Sequence, residues 1–365
     1  KTIIVKIGSS SITTDEGMID RKRVDLLCGE VATLHGLNHN IVIVTSGAIA
    51  AGLTPLNINI MERPTDSKTL QAVSAVGQGH LIRTYQEIFS NYDLNAGQVL
   101  LTPLDFFLRT QYLHARSTLN RLLELRVIPI VNENDAVADD EIRWGDNDRI
   151  AALVAHLVDA DLLLLLTDIE GVLTADPKLD TQASLIEEIV EIDQTLENQV
   201  GGSGSVHGSG GMASKVAAAK IAAWSGIPTL IAHAHRPGVV VDAVNGVSGT
   251  GTLVHSRSTK LGARRLWIAF AVGSKGRITV DEGAKEALQK NRVSLLPAGV
   301  VSVSGSFTAG DAVEISGPDR IVFAKGLVRH GASDLEASIG KQTEDLPEGF
   351  SSEVVHADDL VVLPA

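Results

Sequence analysis

From residue 1 to about residue 255, short runs that are apolar throughout alternate with segments of helical period, and this alternation constrains the fold more than any other feature. Thr2–Ile7, 41–45, 99–101, 127–131, Leu162–Thr167 and 229–232 read as strands. After the first of these, Asp20 is placed to cap a helix whose apolar positions Val24, Leu27, Val31 and Leu34 recur at helical spacing. Segments 67–89, 111–125, 148–158 and Met212–Trp224 are helical in composition and period. Strands without polar alternation are buried on both faces, and helices between them supply the crossovers that parallel pairing needs. The implied class is α/β, a mainly parallel sheet sandwiched by helices. Ligands of such sheets lie beyond the carboxyl ends of the strands, so chemistry is expected at that edge.

The pattern changes after Val254. Residues 255–265 are polar and basic, and a linker is expected over 257–272, between a first unit at 1–256 and a second at 273–365. In the second unit Gly276–Val280, 299–304, Ala312–Ser316 and 321–328 are short β-type pieces separated by Gly and Pro, with one helix over 283–290. Close spacing of this kind suggests a small β-barrel-like module. Cys28 is the single cysteine and lies among Leu26, Leu27 and Val31 as a core residue would, so no internal disulfide can form and a reducing, cytoplasmic compartment is expected. No apolar run approaches the ~18 residues of a membrane span, and no basic-then-apolar secretory leader is read at the start.

Net charge is −13, unevenly spread: residues 1–256 hold 18 Lys and Arg against 30 Asp and Glu, and 257–365 hold 13 against 14. Neither part has the basic excess of a nucleic-acid binder. An anionic small substrate therefore needs a locally positive pocket.

Candidates for that pocket stand at the expected edge. Lys6 sits inside an apolar strand just before Gly8-Ser9-Ser10, and a buried lysine is costly unless it faces an anion. Residues 201–211 contain six glycines and three serines and run straight into a helix with Lys215 in its first turn. Such a loop and helix N-terminus can cradle phosphate, although a flexible linker has the same composition. Walker A, protein-kinase and dinucleotide signatures are all missing from the sequence. Ser46-Gly47-Ala48 ends the second strand, Asn132-Glu133-Asn134-Asp135 follows the strand 127–131, and Gly145-Asp146-Asn147-Asp148 opens the next helix. Thr167-Asp168 ends a fifth strand. His233 and His235 read as an incidental strand-end pair, and Trp144, Trp224 and Trp267 as packing residues.

Val5–Ser10 as V-K-I-G-S-S, residues 43–52, 132–137, 145–148, 174–177 and 210–215 together resemble the amino-acid kinase family, and within it the glutamate 5-kinase branch. The resemblance is collinear over about 250 residues, and the tail is similar to the PUA module of many bacterial members. It implies ATP-dependent phosphorylation of the γ-carboxylate of L-glutamate, the first step of proline biosynthesis, with Mg²⁺ accompanying the nucleotide. On this resemblance Lys6 and Lys215 flank the transferred phosphoryl group and Asp148 orients them. Ser46, Gly47, Asn132, Asp135, Asp146 and Asn147 match substrate-binding positions, with Asp135 suited to the α-ammonium group. Lys6, Gly8, Ser9, Thr167, Asp168, Ser209, Gly210, Gly211, Met212, Ala213, Ser214 and Lys215 match nucleotide-binding positions, and no resident metal site is implied. Ser209 and Ser214 stand where the family has threonine, and Arg143, followed by Trp144, stands where it has lysine.

The same resemblance implies allosteric feedback inhibition by proline, a homo-oligomer, and hand-over of the product to a glutamyl-phosphate reductase. A family member acting on another acceptor is the alternative enzyme. RNA binding through the tail is the alternative from a different class, and the tail's charge balance argues against it.

Overall fold

The computed structural model describes residues 1–14, 16–59, 64–106, 108–137, 147–175, 182–200, 211–258, 260–346 and 350–363. It divides into two compact units, Lys1–Lys260 and Leu261–Ala365.

The first unit is built on eight strands: β1 (Thr2–Ile7), β2 (Asn40–Thr45), β3 (Ala96–Leu101), β4 (Ile128–Glu133), β5 (Leu162–Thr167), β6 (Glu188–Ile189), β7 (Thr229–His233) and β8 (Gly251–Val254). Their order in the sheet is β3-β4-β2-β1-β5-β7-β8-β6. From β3 to β7 every pairing is parallel, and β8 lies antiparallel to β7. The mainly parallel sheet expected from the apolar runs is thus present, and the runs are buried because helices cover both faces. The order reverses across β1 and β5: the chain builds leftward through β2 to β3 at the edge, β4 fills the place between them, and β5 is then placed on the other side of β1. A crevice at the carboxyl ends of β1, β2 and β5 follows from that reversal.

The helices of this unit are α1 (Ser9–Ile12), α2 (Arg21–Gly36), α3 (Ala48–Leu53), α4 (Ser67–Ser90), α5 (Arg109–Glu124), α6 (Asn147–Leu157), α7 (Gln194–Val200), α8 (Met212–Trp224) and α9 (Val239–Asn245). Asp20 caps α2, accepting from the backbone N–H groups of Lys22 and Arg23, as its position in the sequence suggested. Its face Val24, Leu27, Cys28, Val31 and Leu34 packs into the core with Tyr85 and Phe89 of α4. The α3 and α4 backbones touch. A Cβ at Gly52 would lie 2.0 Å from the Val73 carbonyl oxygen, and one at Gly77 would lie 1.8 Å from that of Ala48. Only glycine permits that approach, and it locks the helix after β2 to the longest helix of the unit.

The second unit holds α10 (Ala263–Leu266), a wider helical turn over Trp267–Ala271, β9 (Gly276–Val280), α11 (Glu282–Lys290), β10 (Val300–Gly305), β11 (Ala312–Ser316), β12 (Val322–Val328), α12 (Ala332–Glu336) and β13 (Val355–Val362). Its five-stranded sheet has the order β10-β9-β11-β12-β13, with β9 and β11 parallel and the other pairs antiparallel. Ile278, Val280, Val313, Ile315, Phe323 and Leu335 form a core of its own. The stretch 257–272, expected as a linker, is helical from Ala263 to Ala271, and Ile268 and Ala269 pack with Val361. Its apolar residues Leu266, Trp267, Ile268 and Phe270 account for this. Strand β13 was not expected, because Asp358 and Asp359 interrupt its apolar pattern. Among the described residues no helix is long and apolar enough to cross a membrane.

Candidate active site

At the carboxyl end of β1, Lys6 turns its ammonium group toward the N-terminus of α6. Its Nζ lies 2.5 Å from Asp148 Oδ1, and Lys215 Nζ, from the first turn of α8, lies 3.2 Å from Asp148 Oδ2. Ser214 donates its hydroxyl to the same Oδ2 at 2.7 Å. All three charged side chains are buried, Asp148 completely and the lysines to within 5%. Burial alone pushes the Asp148 carboxyl up, but Lys6 and Lys215, with the hydrogen bonds from Lys6 and Ser214, outweigh it and hold the group well below the usual carboxylate range. Among the described residues, two ammonium groups face one carboxylate in this cluster.

The elements dictate this meeting. Both α6 and α8 are rich in alanine on their buried faces (Ala151, Ala152 and Ala155; Ala218, Ala219 and Ala222), and they pack side by side with their N-termini at the sheet edge. Gly211 precedes α8 in extended conformation, so the amides of Met212 and Ala213 lie at the helix N-terminus, with no side-chain cap among the described residues. Gly8 lies beside the Lys6 ammonium, where a Cβ would sit 3.6 Å from Nζ, an ordinary van der Waals distance. Ser9 begins α1 directly after it.

A second group of side chains lies beside the first, at the carboxyl ends of β2 and β4 and the start of α6. Asn147, one residue before Asp148, places its Nδ2 2.7 Å from the Thr45 carbonyl oxygen, 2.9 Å from Ser46 Oγ and 2.9 Å from Asn132 Oδ1. Those acceptors set the orientation of its amide. Asn147 Oδ1 is buried without a hydrogen-bond partner among the described residues. Asn132 Oδ1 also accepts the Glu133 backbone N–H, and Asn132 Nδ2 donates to Gln78 Oε1 at 2.7 Å. Ser74 donates its hydroxyl to Asp135 Oδ2 at 2.9 Å. Gly47 has a left-handed backbone (φ 99°) that lets the chain turn from Ser46 directly into α3. Thr45 Oγ1 shares a hydrogen bond of 2.9 Å with the fully buried Tyr85.

Of the expected residues, Lys6, Asp148, Ser214 and Lys215 meet in one cluster, and Ser46, Asn132, Asn147 and Asp135 in the adjoining one. Thr167 ends β5 next to β1 and donates to Asp168 Oδ1 at 3.0 Å, on the same edge. Asp146, Arg143, Trp144, Ser209 and Gly210 lie outside the described residues. Sequence reasoning missed Ser74, Gln78 and Tyr85, which sit in a helix whose composition reads as ordinary amphipathic structure. His233 Nδ1 accepts the His235 backbone N–H, a local strand-end arrangement. Among the described residues no group of three or more His, Cys, Asp or Glu could hold a metal ion. Trp224 packs under the Arg257 guanidinium, 4.6 Å from its ring centre.

The family model described as "Amino acid kinase family" matches residues 1–233, and the PUA domain model matches residues 276–350. The chain is 43% identical over 364 residues to a protein named Glutamate 5-kinase from Mycobacterium ulcerans (strain Agy99), covering 100% of this chain and 97% of that one. It is 44% identical over 365 residues to a Glutamate 5-kinase from Mycobacterium tuberculosis (strain ATCC 25177 / H37Ra), covering 100% and 95%. Among solved structures, the UMP kinase from Bacillus anthracis superimposes with a TM-score of 0.50 at 16% identity, covering 71% of this chain and 97% of that one, a likeness of fold alone.

Proposed function

Because the chain belongs to the amino acid kinase family, we propose that it transfers the γ-phosphoryl group of ATP to the γ-carboxylate of L-glutamate, giving ADP and L-glutamyl 5-phosphate. The observation that carries the reading is the buried Lys6–Asp148–Lys215 cluster at the carboxyl edge of the sheet. Phosphoryl transfer passes through a loose state with charge spread over the phosphoryl oxygens, so positioning and neutralisation do most of the work. In this reading Lys6 and Lys215 lie along the phosphoryl group, and Asp148 holds both ammonium groups in place. The attacking γ-carboxylate has a reference pKa of about 4.3 and is ionised at neutral pH, so no general base is required.

Ser46, Gly47, Asn132, Asp135, Asp146 and Asn147 form the acceptor end in this reading. The Asp135 carboxylate and Asn147 Oδ1, which has no hydrogen-bond partner among the described residues, suit an α-ammonium donor. Gly8, Ser9, Thr167, Asp168 and residues 209–215 form the nucleotide end, where the amides at the start of α8 suit phosphate oxygens. Mg²⁺ accompanies the nucleotide, held largely by phosphate oxygens and water, and supplies charge neutralisation. Inhibition by free proline at a site overlapping that of glutamate, assembly into a homo-oligomer, hand-over of the acyl phosphate to a reductase and a cytoplasmic location belong to the same reading.

The test is ADP release with Mg²⁺-ATP across glutamate, N-acetylglutamate, aspartate and uridine monophosphate, with hydroxylamine present to trap acyl phosphate. Glutamate-dependent turnover with a matching hydroxamate signal is expected. Turnover with a different acceptor alone would overturn the substrate assignment while leaving the lysine chemistry standing. Proline titrated at subsaturating glutamate is expected to depress the initial rate, and a flat response to millimolar proline would refute that part.

A further inference from the structure

We propose that helix α4 sets the amino-acid end of the acceptor site, with Ser74 and Gln78 as its positioning residues. This rests on the reading of the site as a glutamate site. The two residues are one turn apart and therefore share a face of the helix. On that face Val73, Gly77 and Leu81 fill the interior, while Ser74 and Gln78 are 3% and 8% exposed. A hydroxyl and an amide buried among such neighbours cost free energy unless hydrogen-bonded. Their partners stand at the carboxyl end of β4: Ser74 donates to Asp135 in the loop after it, and Gln78 accepts from Asn132, the strand's next-to-last residue.

Each contact constrains its partner in a definite way. The Ser74 hydroxyl donates to Asp135 Oδ2 at 2.9 Å and so fixes the orientation in which the carboxylate meets a cation. Gln78 satisfies the donor end of Asn132, whose acceptor end is held by the Glu133 N–H and by Asn147. The same helix is locked to α3 through Gly52 and Gly77, and α3 starts immediately after Ser46 and Gly47. One rigid element thus references the loops after β2 and β4 to each other. Glutamate differs from glutarate only in the α-ammonium group, so α4 governs discrimination between them.

Steady-state kinetics of Ser74→Ala and Gln78→Leu with glutamate and with glutarate test this. Ser74→Ala is expected to raise the KM for glutamate about tenfold, and Gln78→Leu by a similar factor. In both, kcat and the KM for ATP stay within about twofold. Activity with glutarate is expected to hold in Ser74→Ala, so the preference for glutamate shrinks about tenfold, which loosened packing alone would not produce. A parent enzyme that turns over glutamate while Ser74→Ala keeps the parent's KM and its glutamate preference overturns the inference alone. A parent enzyme that ignores glutamate overturns the functional reading and this inference with it.

Discussion

Replacing Asp148 by Asn removes a negative charge from between two buried ammonium groups and changes little in shape. Lys6 and Lys215 lie 2.5 and 3.2 Å from the two carboxylate oxygens, and none of the three side chains is more than 5% exposed. Removing one partner of a buried ion pair costs ~3–5 kcal/mol, because the remaining charge stays out of water. At about 2–4 °C per kcal/mol for a unit of this size, the Tm should fall by roughly 6–20 °C. The sign of the pH dependence follows from the depressed carboxyl of Asp148. A lowered folded-state pKa contributes stability that is complete above the unfolded value near 3.9 and is lost as pH falls through the folded one. Between pH 5 and 8 the gap between parent and variant should therefore stay constant. Bound triphosphate supplies negative charge to the same lysines, so Mg²⁺-ATP should raise the variant's Tm by more than the parent's. The rate should still fall by about 10²–10³-fold, the usual loss when a preorganised electrostatic contact is removed. Thermal melts with and without nucleotide, paired with the hydroxamate assay, measure all of this. An Asn variant as stable as the parent without nucleotide, or one that gains no extra stability from ATP, would refute the charge argument.

Three further outcomes are expected. Gly77→Ala should lower the Tm and raise the KM for glutamate together, because its Cβ would fall 1.8 Å from the Ala48 carbonyl oxygen and 2.4 Å from the Gly52 backbone N, forcing α3 and α4 apart; overpacking of this kind costs about 1–3 kcal/mol or more, and an unaltered melt would contradict the geometry. Cys28 is buried, and burial followed by the charge of Asp25 pushes its thiol pKa far up, so it stays protonated at neutral pH. An aromatic disulfide reagent at pH 8 should label it only after unfolding, and rapid labelling of native protein would count against the packing of α2. Truncation after Lys260 removes none of the described site residues and leaves the first unit its own core. Glutamate-dependent turnover within a few-fold of the full chain is expected, and loss of activity in a folded truncate would assign the second unit a part in catalysis.

Much of the first unit was legible because its strands are apolar throughout, and a sheet covered on both faces reads as exactly such runs with helices between. The reading weakened where composition and burial part company. Strand β8 (Gly251–Val254) is short, with glycine at its start, and a Cβ on Gly251 would sit 2.2 Å from the Ile231 carbonyl oxygen. Glycine at that position permits the close approach of its backbone to β7, with which it pairs. Strand β13 carries Asp358 and Asp359, whose carboxylates pair with Arg292 and Arg264, so charged residues occupy a strand that a hydropathy pattern passes over. At the site, Lys6 was conspicuous as a lysine within an apolar run, whereas Ser74 and Gln78 were not. Polar residues are ordinary in a helix, and only the packed structure shows which of them face inward.

The site residues share one property, which is that each defies the rule of the element carrying it. Lys6 is a charge in a buried strand, Asp148 is a completely buried carboxylate, and Ser74 and Gln78 are polar groups on an inward helix face. Such violations persist when something nearby compensates. Here they compensate one another in sequence: the lysines neutralise Asp148, Ser214 donates to it, and Asn147 next to it ties the lysine cluster to Asn132 and, through Gln78, to α4. Among the described residues two ammonium groups face one carboxylate, and on the proposed reading that arrangement draws a nucleotide and a dicarboxylate to one edge of a −13 chain. A fully neutral cluster would be cheaper to bury and would bind neither substrate as well. On the proposed reading, the stability given up in burying Asp148 and its lysines is what lets the cluster bind anions, which is why nucleotide and stability should prove coupled there.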